Sequence, residues 1–569
     1  MNCACNRMDR LGERFWCKAQ LSLTTTLGQP PQHWVAFTHT ALTSIQLTGY
    51  ANASIMIRRV TKLAVSGIGS RYLRPTLCTR GNLATDRGLA YRLKLVRKKV
   101  QDLSNTHDDG RGDACQVVHV PFGYLPDTLG GTEIYVAGLV KELSQLGVSS
   151  VVVAPGQSAE YVHDATRVLR IPPSPELSQE ALYGEGDKGA AARFGTALDS
   201  VKPQIVHFHA FTSGASLLAM KECARRRIPT LMTYHTPTVT CLRGTMLHWG
   251  KTPCDGVMVV TRCASCALQG RGLPKWLAIA AAHIPLPLSN FFAKALRSRA
   301  TTVLGIRWLT AIRHRAVRSA FDLCEYVVSP CDWVSEVLMR NGVPTTKIVL
   351  SRQGLSRSES RTSAEPTAPS LNVTGDAQER AGANAALKLI FLGRIHPTKG
   401  LHTLLRALAM RPALAVSLSI YSAKNTGDAY FDEISALVAR DTRVTLKAAL
   451  ANANVVATMR DYDLVVVPSE WLETGPLVIY EAFAAGLPVL GSDLGGVAEL
   501  VSDGRNGRLL PCGDASAWAN AIGEIADNRG LIKNWQQNLP PLRTMREVAQ
   551  DMRTVYDNSL NAQPRPLGL

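Results

Sequence analysis

The stretch Pro468-Ser-Glu-Trp-Leu-Glu473-Thr-Gly475-Pro476-Leu-Val-Ile-Tyr-Glu481-Ala-Phe, preceded by the apolar run Leu464-Val-Val-Val, decides the fold. Four consecutive apolar residues ending at a proline read as a strand buried on both faces, the kind found inside parallel sheets. A Gly-Pro pair then permits a tight loop. Proline suits the first helical turn, where its missing N–H is not needed. The order is strand, loop, helix, with Glu473 in the loop at the strand's carboxyl end and Glu481 early in the helix. Open α/β sheets hold ligands at that end of their strands. Two carboxylates accept hydrogen bonds but donate none, so without a metal they suit sugar and ribose hydroxyls rather than phosphate. The segment points to a polyhydroxylated ligand.

The same alternation extends outward in both directions. Strands are expected at 115–120, 151–154, 205–209, 230–234 and 326–329, with a helix over about 133–146 after the turn Leu129-Gly130-Gly131-Thr132 and another over 332–341. The pattern restarts with a strand at 387–392, a loop at 393–400 and a helix at 401–410, then strands at 416–421, 464–467 and 488–491. Strands alternating with helices indicate a doubly wound parallel sheet, and a chain of 569 residues is too long for one core. The expected architecture is α/β, with two Rossmann-like domains facing a central cleft. The first covers 114–350 and carries an insertion at 241–266. A Ser/Ala/Thr/Pro-rich linker without periodicity covers 355–386, and the second domain covers 387–535. The segment 536–569 holds a helix with core spacing and a tail.

Residues 1–113 read differently. They lack the alternation and carry 17 Lys/Arg against 7 Asp/Glu, so +10 of the chain's +18 lies there. We read them as a loosely ordered basic extension. The charge raises a nucleic-acid-binding alternative, but no nucleic-acid motif accompanies it. The best apolar run, from Trp276, is short and broken by Pro285 and Pro287, a poor membrane span.

Gly393-Arg394-Ile-His-Pro-Thr-Lys399-Gly400 lies between a strand and a helix. Two cations on a loop that ends at a helix N-terminus suit a diphosphate. Ser492-Asp493-Leu-Gly495-Gly496 forms another strand-to-helix turn, whose two glycines allow close backbone approach and N–H groups facing phosphate. Together, Phe391-Leu-Gly-Arg394…Lys399-Gly, Glu473-x7-Glu481-Ala, Ala485-Gly-Leu-Pro-Val-Leu-Gly-Ser-Asp-Leu-Gly-Gly-Val-Ala-Glu499-Leu-Val and Gly504-x-Asn506-Gly507 resemble the family 4 retaining glycosyltransferases of the GT-B fold. Thr474-Gly475-Pro476 departs from that family's frequent Gly-Phe-Gly beside Glu473.

The resemblance implies a nucleotide-diphospho-sugar in the second domain. Arg394 and Lys399 would neutralise the departing diphosphate and Glu473 would contact donor-sugar hydroxyls. Glu481 would accept from the ribose, and the backbone of Gly495 and Gly496 would line the pocket. It implies transfer with retention to a sugar or lipid-linked acceptor, in polysaccharide or glycoconjugate biosynthesis, with no cofactor required for catalysis. A nucleotide-sugar epimerase of the same fold is the alternative. Gly130 and Gly131 resemble the family's glycine loop facing donor and acceptor.

In the first domain His235, in Tyr-His-Thr after a strand, is the first choice for a site histidine, ahead of His209. Cys241, Cys254, Cys263 and Cys266 crowd one glycine-rich loop. A structural zinc, an iron–sulfur cluster and free thiols are the open readings there. The other cysteines are scattered, as in a reduced cytoplasmic protein. Residues 271–320 hold nine Lys/Arg and no Asp/Glu, interspersed with Trp276, Ile279, Phe291, Phe292 and Trp308. That suits docking on the inner face of an anionic membrane, or a solvated helix face over core residues.

Overall fold

Eight strands of the first lobe and six of the second form two separate twisted sheets, each arranged around a central strand where the direction of winding reverses. This is a computed structural model. It describes residues 116–126, 130–295, 298–356, 386–423 and 428–561, all within one unit, residues 113–569. The basic extension 1–113 lies outside the described residues, as does all but the ends of the linker 355–386.

In the first sheet the spatial order is Ile348–Leu350, Tyr326–Ser329, Thr230–Thr233, Ile205–Phe208, Gln116–Val120, Ser149–Pro155, Thr166–Ile171 and Ala159–His163. All neighbours are parallel except the last pair, an antiparallel edge hairpin. The chain winds outward one way from Gln116–Val120 and the other way from Ile205–Phe208. The second sheet runs Val444–Ala448, Val416–Ser422, Leu387–Leu392, Leu464–Val467, Val489–Ser492 and Gly507–Leu510, and is parallel throughout. Its winding reverses between Leu387–Leu392 and Leu464–Val467. Ligand crevices in doubly wound sheets open at such reversals, beyond the carboxyl ends of the two strands. Both lobes therefore have one.

The strand Leu464–Val467 is buried at all four positions, as its unbroken apolar run requires, with helices packed on both faces. Burial of Leu389, Leu404, Leu418, Leu464, Trp518 and Ile522 fills one side of the second sheet. Ile390, Val465, Val467, Ile479 and Val489 fill the other.

The final helix, Met545–Asn561, returns to the first lobe. Its buried positions Met545, Val548, Ala549, Met552, Val555 and Tyr556 recur at helical spacing and pack with Tyr135, Leu139 and Leu143 of the helix Gly131–Gln145. Leu355, inside the expected linker, is already fixed: it is buried and bridges Thr544 at the start of this return. The insertion begins a run of helices, Val260–Gly270, Lys275–Ala282, Leu286–Lys294, Arg299–Leu304 and Ile306–Leu323. Among the described residues no single helix is long and apolar enough to cross a membrane. Lys275–Ala282 and Leu286–Lys294 reach that composition only as a pair bent by 102°.

Candidate active site

The second lobe's crevice is built from two loops that touch. After Leu387–Leu392 the chain makes a 3₁₀ turn at Pro397–Lys399 and enters the helix Leu401–Ala409 through Gly400, whose φ is +66°. A Cβ at Gly400 would lie 1.7 Å from the carbonyl oxygen of Pro468, so only glycine lets the loops meet. The Glu470 N–H donates to the Thr398 carbonyl at 2.7 Å, and the Thr403 hydroxyl donates to Glu470 Oε1 at 2.6 Å. This contact places Lys399 over the second loop. Its Nζ lies 2.6 Å from Glu473 Oε1 and 5.4 Å from the centre of the Trp471 ring. The Ser469 hydroxyl donates to the same carboxylate oxygen at 2.9 Å.

Glu473 is buried, Lys399 partly so, and Arg394 is exposed on the preceding loop. Glu481 sits in the second turn of the helix Leu477–Ala484, which starts directly after Pro476. Arg394 and Lys399 thus follow the strand Leu387–Leu392, and Glu473 and Glu481 follow Leu464–Val467, the two strands between which the sheet reverses.

The backbone of the Glu473 loop joins the lobes. The Glu473 carbonyl accepts from Gly496 N–H at 2.7 Å and from the first-lobe Trp333 indole at 2.8 Å. The Thr474 hydroxyl donates to the His235 carbonyl at 2.6 Å. Glu499 accepts from the N–H groups of Asp332 and Trp333, both at 2.8 Å, and from Arg352 at 2.7 Å. It thereby caps the first-lobe helix Asp332–Arg340 from the second lobe. One sequence expectation changes here. Gly496 does not present its N–H to an anion, because the close approach of the two loops commits that donor to Glu473. A Cβ on Gly496 would come within 2.6 Å of the same carbonyl oxygen. The two glycines serve as the surface against which the Glu473 loop is seated.

In the first lobe, Gly130 is the N-cap of the helix Gly131–Gln145, and a Cβ at Gly131 would meet only open space. Glu133 in the first turn is buried. Burial raises its carboxyl pKa, while its own N–H, those of Gly123 and Gly130, and the charge of Arg394 in the other lobe pull it back down. Arg394 of the second lobe thus adds to the field at Glu133.

Three histidines run inward from the cleft, with a fourth beside them. His235 Nε2 meets His209 Nδ1 at 3.1 Å, His209 Nε2 meets His119 Nδ1 at 3.1 Å, and His119 Nε2 meets Ser150 Oγ at 3.3 Å. Burial pushes His119 and His235 down to about 3, and His207 and His209 well below the ordinary range. All are neutral near pH 7, so each can donate through one nitrogen and accept through the other. The direction of the Ser150 hydrogen bond then sets every tautomer up to His235. His207 stands beside the chain, bonded to Tyr556 OH at 2.8 Å and Thr233 Oγ1 at 2.7 Å. His119, His207 and His209 place ring nitrogens within 4.8 Å of one another, close enough for a metal. The hydrogen bonds already satisfy those nitrogens.

Cys241, Cys254, Cys263 and Cys266 line one cavity. Of the basic, apolar segment, Ile306 and Leu309 are core, whereas Trp276 is 70% and Phe291 66% exposed.

Residues 377–540 match the family model described as Glycosyl transferases group 1, and residues 129–279 match that of Glycosyltransferase Family 4. The chain belongs to the family 4 glycosyltransferases. Their GT-B fold is the one seen here, two Rossmann-like lobes. Its similar relatives include the D-inositol 3-phosphate glycosyltransferase of Mycolicibacterium gilvum (strain PYR-GCK), 35% identical over 157 residues, which are 26% of this chain and 35% of that protein. The protein of the same description from Nocardia farcinica (strain IFM 10152) is 34% identical over 171 residues, 27% of this chain and 38% of the other. The chain thus spans little more than a third of these curated relatives.

Among solved structures, sucrose-phosphate synthase (tll1590) from Thermosynechococcus elongatus aligns with a TM-score of 0.52 and 18% identity, over 79% of this chain and all of that one. Anabaena Alr3699/HepE, in complex with UDP and glucose, aligns with a TM-score of 0.50 and 15% identity, over 78% and 100%. At these identities the likeness speaks for the fold.

Sequence reasoning passed over Trp471, beside Lys399, whose buried indole N–H has no acceptor in the structure. It also passed over His119. A histidine within Val-Val-His-Val, in a strand buried on both faces, was the available signal.

Proposed function

We propose that this protein is a retaining glycosyltransferase that moves a sugar from a nucleotide-diphospho-sugar to a sugar or lipid-linked acceptor in polysaccharide or glycoconjugate biosynthesis. The observation that carries the reading is the set Arg394, Lys399, Glu473 and Glu481 at the second sheet's reversal point. Arg394 and Lys399 neutralise the diphosphate as the bond to the sugar breaks, and the helix entered through Gly400 adds its positive end. Because side-chain cations do this work, no catalytic metal or cofactor is required. Glu481 accepts from ribose hydroxyls and Glu473 from hydroxyls of the donor sugar. When the donor arrives, its diphosphate takes over Lys399 and frees the Glu473 carboxylate for the sugar. The transition state is oxocarbenium-like, and no enzymic nucleophile is needed. His235, at the inner wall between the lobes, bonds a sugar hydroxyl through the nitrogen that its histidine chain leaves free. Gly130 and Gly131 allow donor and acceptor to approach the first lobe's backbone.

The acceptor side faces a membrane. Trp276, Ile279, Leu288 and Phe291 are exposed on two consecutive helices that also carry Lys275 and Lys294 and no acid. Aromatic and cationic side chains together suit the interface of an anionic bilayer. A protein docked there, on the cytoplasmic face, meets lipid-linked sugars directly.

A panel of nucleotide-sugars, scored by thermal stabilisation and by slow donor hydrolysis, tests the donor reading. At least one sugar nucleotide should raise the melting temperature and be hydrolysed to its nucleoside diphosphate. A panel without any stabilising member would overturn it.

A further inference from the structure

We propose that Cys241, Cys254, Cys263 and Cys266 bind one structural zinc ion as four thiolates, and that this ion fastens the loop 241–256 against the lobe that holds Glu473. The four thiols, supplied by a loop and a helix, line a single cavity of about 30 Å³; none is in a disulfide, and no three of their sulfurs stand within 4.8 Å of one another, so the ion would draw them inward. Such a space admits a single small occupant. Cys263 and Cys266 stand three apart on the helix Val260–Gly270, so they share one face. Cys241 and Cys254 come from the two ends of the preceding loop.

One main-chain N–H is already directed at a sulfur of the set. Trp249 N–H donates to Cys266 Sγ at 3.3 Å. Hydrogen bonds of this kind stabilise thiolates and tune metal–sulfur sites. A divalent cation with four thiolates carries two negative charges. Arg243 and Arg262 stand in the same cavity wall. The Nε of Arg262 is buried with no acceptor in the structure, and a thiolate would supply one.

The loop has little regular structure of its own. Its only regular structure is a hairpin of two residues per strand, Leu247–His248 with Thr252–Pro253, too short to be stable alone. Met246 and Trp249 both adopt left-handed backbone, with φ of +55°, a conformation that persists only under outside restraint. Yet the loop reaches the catalytic wall. Thr245 O accepts from Leu472 N–H at 3.1 Å, and Met246 and Leu247 pack with Val337, Leu472 and Leu494. Leu472 is the residue before Glu473. Zinc adds a fastening at the base of the loop, with tetrahedral sulfur ligation suited to structural sites.

The inference does not depend on which sugar is transferred. The full chain, purified under reducing conditions, should contain about one zinc per molecule, released by a thiol-reactive mercurial as about four thiols are modified. X-ray absorption should show a shell of sulfur at about 2.3 Å. Protein grown with cobalt should show the sulfur-to-cobalt charge-transfer bands and strong visible absorption of a tetrahedral thiolate site. The Cys263→Ser/Cys266→Ser double variant should lose the metal and melt at lower temperature. Cys512→Ser, outside the cavity, should keep it. Absence of stoichiometric metal in the unmodified protein, iron with labile sulfide in its place, or a disulfide among the four cysteines would each overturn the proposal. These readouts need no variant that folds and no glycosyl transfer.

Discussion

Replacing Glu473 by glutamine should have opposite effects on two ligands that differ only by a sugar. Lys399 Nζ is 2.6 Å from Glu473 Oε1, with side-chain exposures of 23% and 7%. A hydrogen bond between charged groups contributes about 1.5–3 kcal/mol. Lys399 is about a quarter exposed, so the lower end applies. A diphosphate must win Lys399 from that carboxylate. Glu473→Gln removes the competitor, so a free nucleoside diphosphate should bind more tightly, by about 1 kcal/mol or about fivefold. The sugar loses its charged acceptor, so turnover of the full donor should fall about 100-fold. Lys399→Met should weaken both ligands, by about 10- to 100-fold at these energies. It also strands Glu473 with only the Ser469 hydroxyl and should destabilise the fold, and the double variant should regain part of that loss. Isothermal titration with UDP and with UDP-glucose, alongside donor hydrolysis, separates these effects. Weaker diphosphate binding by Glu473→Gln, comparable to Lys399→Met, would refute the competition, and so would no change in either variant.

Three further outcomes are expected. Glu481→Ala should weaken donor binding about tenfold with an unchanged melting temperature, and a donor lacking ribose hydroxyls should bind the two proteins alike; calorimetry reads both. The buried histidines should make the protein acid-sensitive. His119 and His235 are held at about 3 against 6.5 when unfolded, so the unfolded chain binds more protons between those values. Stability is fully present above 6.5 and is lost as pH falls toward 3. Between pH 7.5 and 5.5 each should cost about 1.3 kcal/mol, seen as a lower denaturation midpoint that His119→Phe partly removes; a flat profile would contradict the buried neutral chain. Trp276→Ser/Phe291→Ser should lower binding to anionic vesicles more than 100-fold, at about 1.5–3 kcal/mol per side chain, and leave donor hydrolysis intact; wild-type protein that fails to sediment with the vesicles would refute docking.

The second lobe was legible because most of its candidate residues lie in βα loops that follow the strands positioning them. Local pattern therefore put Arg394, Lys399 and Glu473 on loops after neighbouring strands and Glu481 on the helix that follows, as the chain is arranged. The pairing of Lys399 with Glu473 was not legible, since it depends on Gly400 letting one loop rest on another 68 residues later. Both the histidine chain and the Glu133–Arg394 relation join residues from different strands or lobes, where spacing along the chain carries no information. The edge hairpin Ala159–His163 with Thr166–Ile171 escaped notice because its outer strand is half-exposed and charged, the reverse of the apolar pattern that marks the central strands. The Gly495-Gly496 turn was located correctly as a turn, but the direction of its donors is a matter of packing between loops.

The most direct measurement is a crystal of the protein grown with UDP-glucose or another stabilising nucleotide-sugar from the panel. The diphosphate is expected between Arg394 and Lys399, the ribose hydroxyls on Glu481 and the sugar against Glu473, with Lys399 drawn from Glu473 to phosphate. A ligand bound in the same crystal away from these four side chains would contradict it.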